Sequence, residues 1–297
     1  VVPDGDATLH AQLDALRAAL ESAVAAGVVD AARIPFPDRV AESATHGAAN
    51  VDCLVVFAHP DDESGYASGA LAHLAAQGKS IHAAVATAGE GGLDATHGGG
   101  GGDDGHDGGG ALAVRRRHEL DGAARALGIG GVTVLGLEDA GMYVDDHRAV
   151  PVTAADSLKL WGVDAALEKI VRAIREQRPR AIVGFDPTRD PDYGLHGHHL
   201  AMGIVTAVAV HLAADARAFP EQGLAPFNVS EHWTAIPPGA VGGTQAEVVV
   251  DAAAKKRALE SYPTQAASLD GKLAAADTLD TLEHWHFFQG RDGPKLL

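Results

Sequence analysis

The residues with the densest chemistry in this chain are Ala58-His59-Pro60-Asp61-Asp62-Glu63, four ionisable side chains within five positions. They follow the apolar run Val51–Phe57 and precede a helix expected from Ser64 to about Gln77. Unpaired charges crowded at a strand end are costly unless something binds them, so the cluster points to function rather than stability. His59 and Asp62 are three positions apart and can reach one ion from a turn, which leaves Asp61 for chemistry. A second cluster, His196-Gly197-His198-His199, follows Asp186-Pro187 and Tyr193-Gly194, and here His196 and His199 have the same spacing. Two neutral imidazoles and a carboxylate make a mononuclear site suited to zinc, with positions left open for water and substrate. The expected ligand set is His59, Asp62 and His199 around one zinc ion per chain. His196 is expected nearest the reacting group, and His198 is open between an outward-facing residue and an alternative ligand. One histidine among 16 would carry little weight; two clusters that each follow a strand carry the metal reading.

The elements that must position these clusters alternate. Val51–Phe57, Ser80–Thr87, Val132–Leu135 and Ala181–Phe185 read as strands. Gly69–Gln77, Val114–Leu127, Leu158–Gln177 and the stretch from His199 through Ala214 read as helices. The expected fold is therefore α/β, a Rossmann-like three-layer αβα arrangement with a mainly parallel sheet, whose ligands gather at the carboxyl ends of the strands. Leu9, Leu13, Leu16, Leu20 and Val24 recur at helical spacing ahead of a Pro-containing linker. Residues 1–50 are accordingly expected to be a helical extension and 51–297 the metal-dependent domain. Gly98–Gly110 reads as a surface loop, with a lid over the site as the second option.

Composition narrows the rest. A net charge of −17 argues against nucleic acid or an anionic membrane surface as partner and suits an amine-bearing ligand. Cys53, the single cysteine, lies in an apolar strand and reads as a core residue. No Gly-x-Ser-x-Gly elbow is present for a serine hydrolase. No secretory segment stands out, and no apolar run is expected to reach the roughly 18–20 residues of a bilayer span, so the expected location is the cytoplasm. Oligomeric state is not legible.

Taken together, Ala58–Glu63 and His196–His199 resemble the motifs of the GlcNAc-PI de-N-acetylase (PIG-L, or LmbE-like) family. Thr87-Ala88-Gly89-Glu90-Gly91-Gly92 is similar to its Thr-x-Gly-Glu-x-Gly turn, and Arg116, Glu119, Leu120 and Leu127-Gly128 to its Arg-x-x-Glu-Leu…Leu-Gly helix. Asp139-Ala140-Gly141-Met142 and Lys255–Gln265 also resemble family segments, so the likeness runs from about 51 to 265. The family's second motif is commonly His-Pro-Asp-His; here Gly197-His198 replaces the middle pair. The resemblance implies zinc-dependent hydrolysis of an N-acetyl or other N-acyl group on an amino sugar or related small molecule. Asp61 would be the general base, His196 would assist the oxyanion, and either would return a proton to the amine. The alternatives are a metal-dependent amidase or hydratase of the same fold acting on a non-sugar substrate, or a catalytically silent binding module. Arg116, Asp139 and Glu90 are weaker candidates, each as readily structural as substrate-facing, and Glu63 is expected to orient the loop.

Overall fold

Val51–Phe57 forms the strand its apolar run predicts (β1) and is buried from Cys53 onward. The computed structural model of the chain describes residues 4–27, 49–92, 94–97, 109–140, 142–145, 148–151, 153–187, 197–236, 244–249, 251–267, 269 and 282–290. Helix α1 spans Asp4–Ala25; α2 (Asp62–Tyr66) and α3 (Ser68–Ala76) follow β1, and β2 is Ile81–Val85. Then come α4 (Gly110–Leu127), β3 (Gly131–Val134), a hairpin of β4 (Met142–Asp145) and β5 (Arg148–Pro151), α5 (Ala154–Trp161), α6 (Val163–Gln177) and β6 (Pro179–Phe185). Helix α7 is Gly197–Ala214, and the chain closes with β7 (Glu231–Ile236), β8 (Thr244–Val249), α8 (Ala252–Leu259) and β9 (Leu282–Gly290).

The main sheet has the order β3-β2-β1-β6-β7-β9-β8. Its first five strands are parallel, and β9 pairs antiparallel with both β7 and β8. Helices α1, α5, α6 and α7 pack on one another, as do α3, α4 and α8, giving the αβα layering expected of alternating elements. The antiparallel strands β8 and β9 and the β4–β5 hairpin were not expected from the sequence.

Two expected helices are each broken in two. The helix after the first motif stops at Ala67 and restarts as α3. The helix expected over Leu158–Gln177 is interrupted at Gly162, whose φ of 70° lies in the left-handed region that glycine adopts without strain. Its first half begins earlier than expected because Thr153 and Asp156 form a capping box, each side chain taking the other's backbone N–H.

Leu13, Leu16 and Leu20 of α1 are buried in the same core cluster as β1 and α7. Among the described residues α1 is thus packed on the body of the fold, with Arg17 paired to Asp164 of α6. Helix α7 corrects one expectation: by length and composition it is apolar enough to cross a bilayer. Its residues are buried all round, the signature of a central core helix. Cys53 is buried, and burial pushes its thiol up, away from the thiolate a nucleophile needs. The Gly98–Gly110 loop lies outside the described residues except at its last two positions.

Candidate metal centre

In the order β3-β2-β1-β6-β7, the chain runs outward from β1 through β2 to β3 on one side and through β6 to β7 on the other, which makes the β1/β6 pair the switch point of the sheet. A crevice forms at such a point outside the carboxyl ends of the strands, and both sequence clusters emerge there. His59 and Asp62 leave the end of β1, and His198 and His199 open α7 after β6. Their elements come together because β1 and β6 are in register, Val55 against Val183, and the Phe57 and Phe185 rings meet edge to face at 4.9 Å.

His59 Nδ1 lies 3.2 Å from His199 Nε2 and 3.5 Å from Asp62 Oδ2, and His199 Nε2 lies 3.1 Å from Asp62 Oδ1. Donors about 2.0–2.1 Å from a tetrahedral ion stand about 3.3 Å apart, so the donor types and spacing fit zinc. Asp62 is oriented from behind, since its Oδ2 accepts the Ala58 and His59 backbone N–H groups at 3.1 and 2.7 Å. All three side chains are buried, and the Phe185 and Tyr66 rings wall His199 at 4.5 and 5.7 Å. Burial alone would push the Asp62 carboxyl up and the His59 imidazole down. Their mutual pairing, with His199 acting on Asp62, outweighs it: Asp62 sits well below the usual carboxylate range and His59 is raised.

Asp61 stands next to this triad with a φ of 116°, an unusual backbone for a residue with a Cβ. Its Oδ2 accepts a bond from Arg116 at 3.1 Å, while Arg116 also donates to the carbonyls of Pro60 and Gly89. Arg116 thereby ties the loops after β1 and β2 together beneath Asp61. Gly89 is required there: its φ is positive and a Cβ would overlap the Arg116 guanidinium. His196 lies outside the described residues, as does the Thr188–Leu195 loop with Tyr193.

Two residues gain weight over their sequence reading. Asp139 and His198 join His59 in a second group of close metal-type donors, and His198 is turned inward and buried, not outward. Glu90 ties the loop after β2 to the segment after β3, its carboxylate accepting the backbone N–H groups of Ala88 and Asp139, each at 3.0 Å. Ser157 and Trp161, which contact His198, carried no sequence signal beyond an amphipathic helix. Glu119 accepts both the backbone N–H and the hydroxyl of Thr264, which anchors the segment after α8.

Tyr262 has no role legible in the sequence, yet its hydroxyl donates to Glu63 Oε1 at 2.7 Å. Glu63 further accepts from Ser64 Oγ at 2.6 Å and from the Asp61 backbone N–H at 3.1 Å, so it holds the motif loop as expected. Burial, outweighing its hydrogen bonds and aided by the Asp61 charge, pushes the Glu63 carboxyl up to about 7 from 4.5. Folding then takes up a proton at this group between those pH values, so its contribution to stability falls as pH rises through them. Thermal melting of the metal-free protein should therefore drop between about pH 5 and pH 7.5, and Glu63→Gln, which does not titrate, should flatten that drop. Glu63→Ala strands the buried Tyr262 hydroxyl and is expected to cost about 2–4 kcal/mol in denaturant unfolding.

The family described as GlcNAc-PI de-N-acetylase (PIG-L) matches residues 54–210 of the chain. A 1D-myo-inositol 2-acetamido-2-deoxy-alpha-D-glucopyranoside deacetylase of Rhodococcus jostii is 34% identical over 184 residues, 61% of this chain and 60% of that protein. The chain thus spans less than two thirds of that relative. The enzyme of the same name from Streptomyces avermitilis is 30% identical over 81% of this chain and 92% of its own length. Among solved structures, the N,N'-diacetylchitobiose deacetylase of Pyrococcus horikoshii has the same fold, with a TM-score of 0.59 at 17% identity, covering 82% of this chain and 85% of that one.

Proposed function

The chain belongs to the PIG-L family of GlcNAc-PI de-N-acetylases, and on that premise we propose that it is a zinc-dependent hydrolase removing an N-acetyl group from an amino sugar or a related small molecule. The observation that supports this most is the convergence of His59 Nδ1, Asp62 Oδ1 and His199 Nε2 beside Asp61 at the switch point of the sheet. In this reading His59, Asp62 and His199 hold the metal. Zinc held there supplies Lewis acidity, lowering the pKa of water from about 15.7 towards 7 and polarising an amide carbonyl.

The chain's own residues do the rest. Asp61, placed by Arg116 and by its left-handed backbone, takes the proton of the attacking water as general base. His196 donates to the oxygen of the acyl carbonyl as negative charge develops on it. Asp61 or His196 then protonates the leaving amine, and acetate and a free amino group are released. The aromatic rings around His199 keep the surroundings apolar, which strengthens each electrostatic contact. The relatives matched are named for deacetylating a 2-acetamido-2-deoxy-glucopyranoside, and that substrate class is the one carried over here.

Zinc-loaded protein offered a panel of N-acetyl amino sugars, including an inositol 2-acetamido glucoside, should release acetate and primary amine in equal amounts. Acetate-free addition of water to an unsaturated acid would assign a hydratase instead. Substoichiometric zinc in protein purified without chelator, with no turnover of any member of the panel, would leave a binding module.

A further inference from the structure

We propose that Tyr262 is a positioning residue for the deacylation, acting through Glu63 to hold the backbone of Asp61 where that carboxylate serves as base. The inference rests on the reading of Asp61 as the general base. Asp61 has a φ of 116°, and a residue with a Cβ keeps such a backbone only where its surroundings over-determine it. This angle is the rotation about N–Cα, so it is set by where the N–H points relative to the carbonyl and the side chain. All three are held. The Asp61 carbonyl accepts the N–H groups of Ser64 and Gly65 at 3.1 and 2.8 Å, and its Oδ2 accepts from Arg116 at 3.1 Å. The Asp61 N–H donates to Glu63 Oε2 at 3.1 Å. Relaxing φ to a negative value would break the relation between these contacts and shift the carboxylate.

Glu63 is itself held from the other side. While Oε2 takes the Asp61 N–H, Oε1 accepts from Ser64 Oγ at 2.6 Å and from the Tyr262 hydroxyl at 2.7 Å. Ser64 sits in the same turn as Glu63 and moves with it, whereas Tyr262 comes from 199 positions away. Glu63, Ser64 and Tyr262 are all buried, so their bonds are made away from bulk water. Burial and the Glu63 charge push the Tyr262 phenol well up, which keeps it a donor. Tyr262 is fixed in turn to the body of the fold. Helix α8 packs on α2, α3 and α4, and just beyond Tyr262 the Thr264 N–H and hydroxyl donate to Glu119 at 2.9 and 2.5 Å. Glu119 and Arg116 are both among the buried residues of α4. One helix therefore holds the Asp61 carboxylate directly and, through the segment after α8, its backbone.

The test is acetate release by the zinc-loaded full chain at pH 8.5, above the range in which Glu63 takes up its proton, with the N-acetyl amino sugar that the parent turns over fastest. Zinc content and circular dichroism are followed alongside. Tyr262→Phe, which removes only the hydroxyl, is expected to lower kcat about 10-fold with KM and zinc content within about twofold of the parent. Zinc is spared because Asp62 takes its orientation from the Ala58 and His59 N–H groups, not from Glu63. Added to Asp61→Asn, the same change should slow the residual turnover less than about twofold, since no base is left to place. A purely structural role would lower the melting temperature and leave kcat of the folded, zinc-loaded fraction unchanged. A kcat within about threefold of the parent in Tyr262→Phe overturns the proposal. So does a loss of zinc that accounts for the slower rate, or an equal loss of rate in the Asp61→Asn background. If Asp61→Asn itself keeps full zinc and full activity, the base assignment is wrong; if it is slow while Tyr262→Phe is not, only the Tyr262 step fails.

Discussion

Asp61→Asn is expected to keep one zinc per chain and to release acetate about 10²–10⁴-fold more slowly than the parent. The substitution removes the basic carboxylate and little else. Asparagine tolerates a positive φ better than most residues, so the 116° backbone at this position need not rearrange. The introduced amide would still offer an oxygen to Arg116, whose bond to Asp61 Oδ2 is 3.1 Å. Asp62, the neighbouring proposed ligand, is oriented by the Ala58 and His59 backbone N–H groups and not by Asp61. Zinc content and turnover should therefore separate. Full zinc with full activity in this variant would remove Asp61 from the role of base, and loss of zinc would make it a ligand.

His199→Ala should show the opposite coupling, with metal and activity lost together. It deletes one of three donors spaced 3.1–3.5 Å apart, and among the described residues none other at the N-terminal end of α7 faces both Asp62 and His59 as this Nε2 does. The metal's part in such a reaction is several kcal/mol of transition-state stabilisation, so turnover should fall by about 10³-fold or more. The parent treated with a chelator should match the variant in rate and regain activity on adding zinc. Zinc at about 100 times its Kd stabilises a protein by about 2.7 kcal/mol through binding the folded state. Chelation should therefore lower the melting temperature of the parent and leave that of His199→Ala in place. A variant that retains stoichiometric zinc would place the metal elsewhere.

How much of this was legible depended on the range over which each signal acts. The strand into Phe57, the turn at His59–Glu63 and the helix ending before Gly128 are written in local hydrophobic pattern and breaker residues. The break of one expected helix at Gly162 was written there too, in Gly162 and the Thr153–Asp156 box, but helical periodicity on both sides masked it. Tyr262 is the contrary case. Nothing in its neighbourhood reveals that its hydroxyl meets Glu63, 199 positions away, because that contact exists only once α8 packs against α2 and α3. The antiparallel strands β8 and β9 were likewise hidden, since pairing partners far apart leave no local periodicity to read.

By itself, the sequence determined the chemistry on offer: imidazoles and carboxylates behind two strands, three positions apart, with Asp61 spare beside them. Side-chain type and short spacing are local properties, and a turn preserves them. What only the tertiary structure decided was which of these groups meet. Setting β1 against β6 brought His199 to Asp62 from a distant part of the chain, and it turned His198 inward towards Asp139. That choice belongs to strand order and core burial, which are set by the whole chain folding at once and which no stretch of residues records alone.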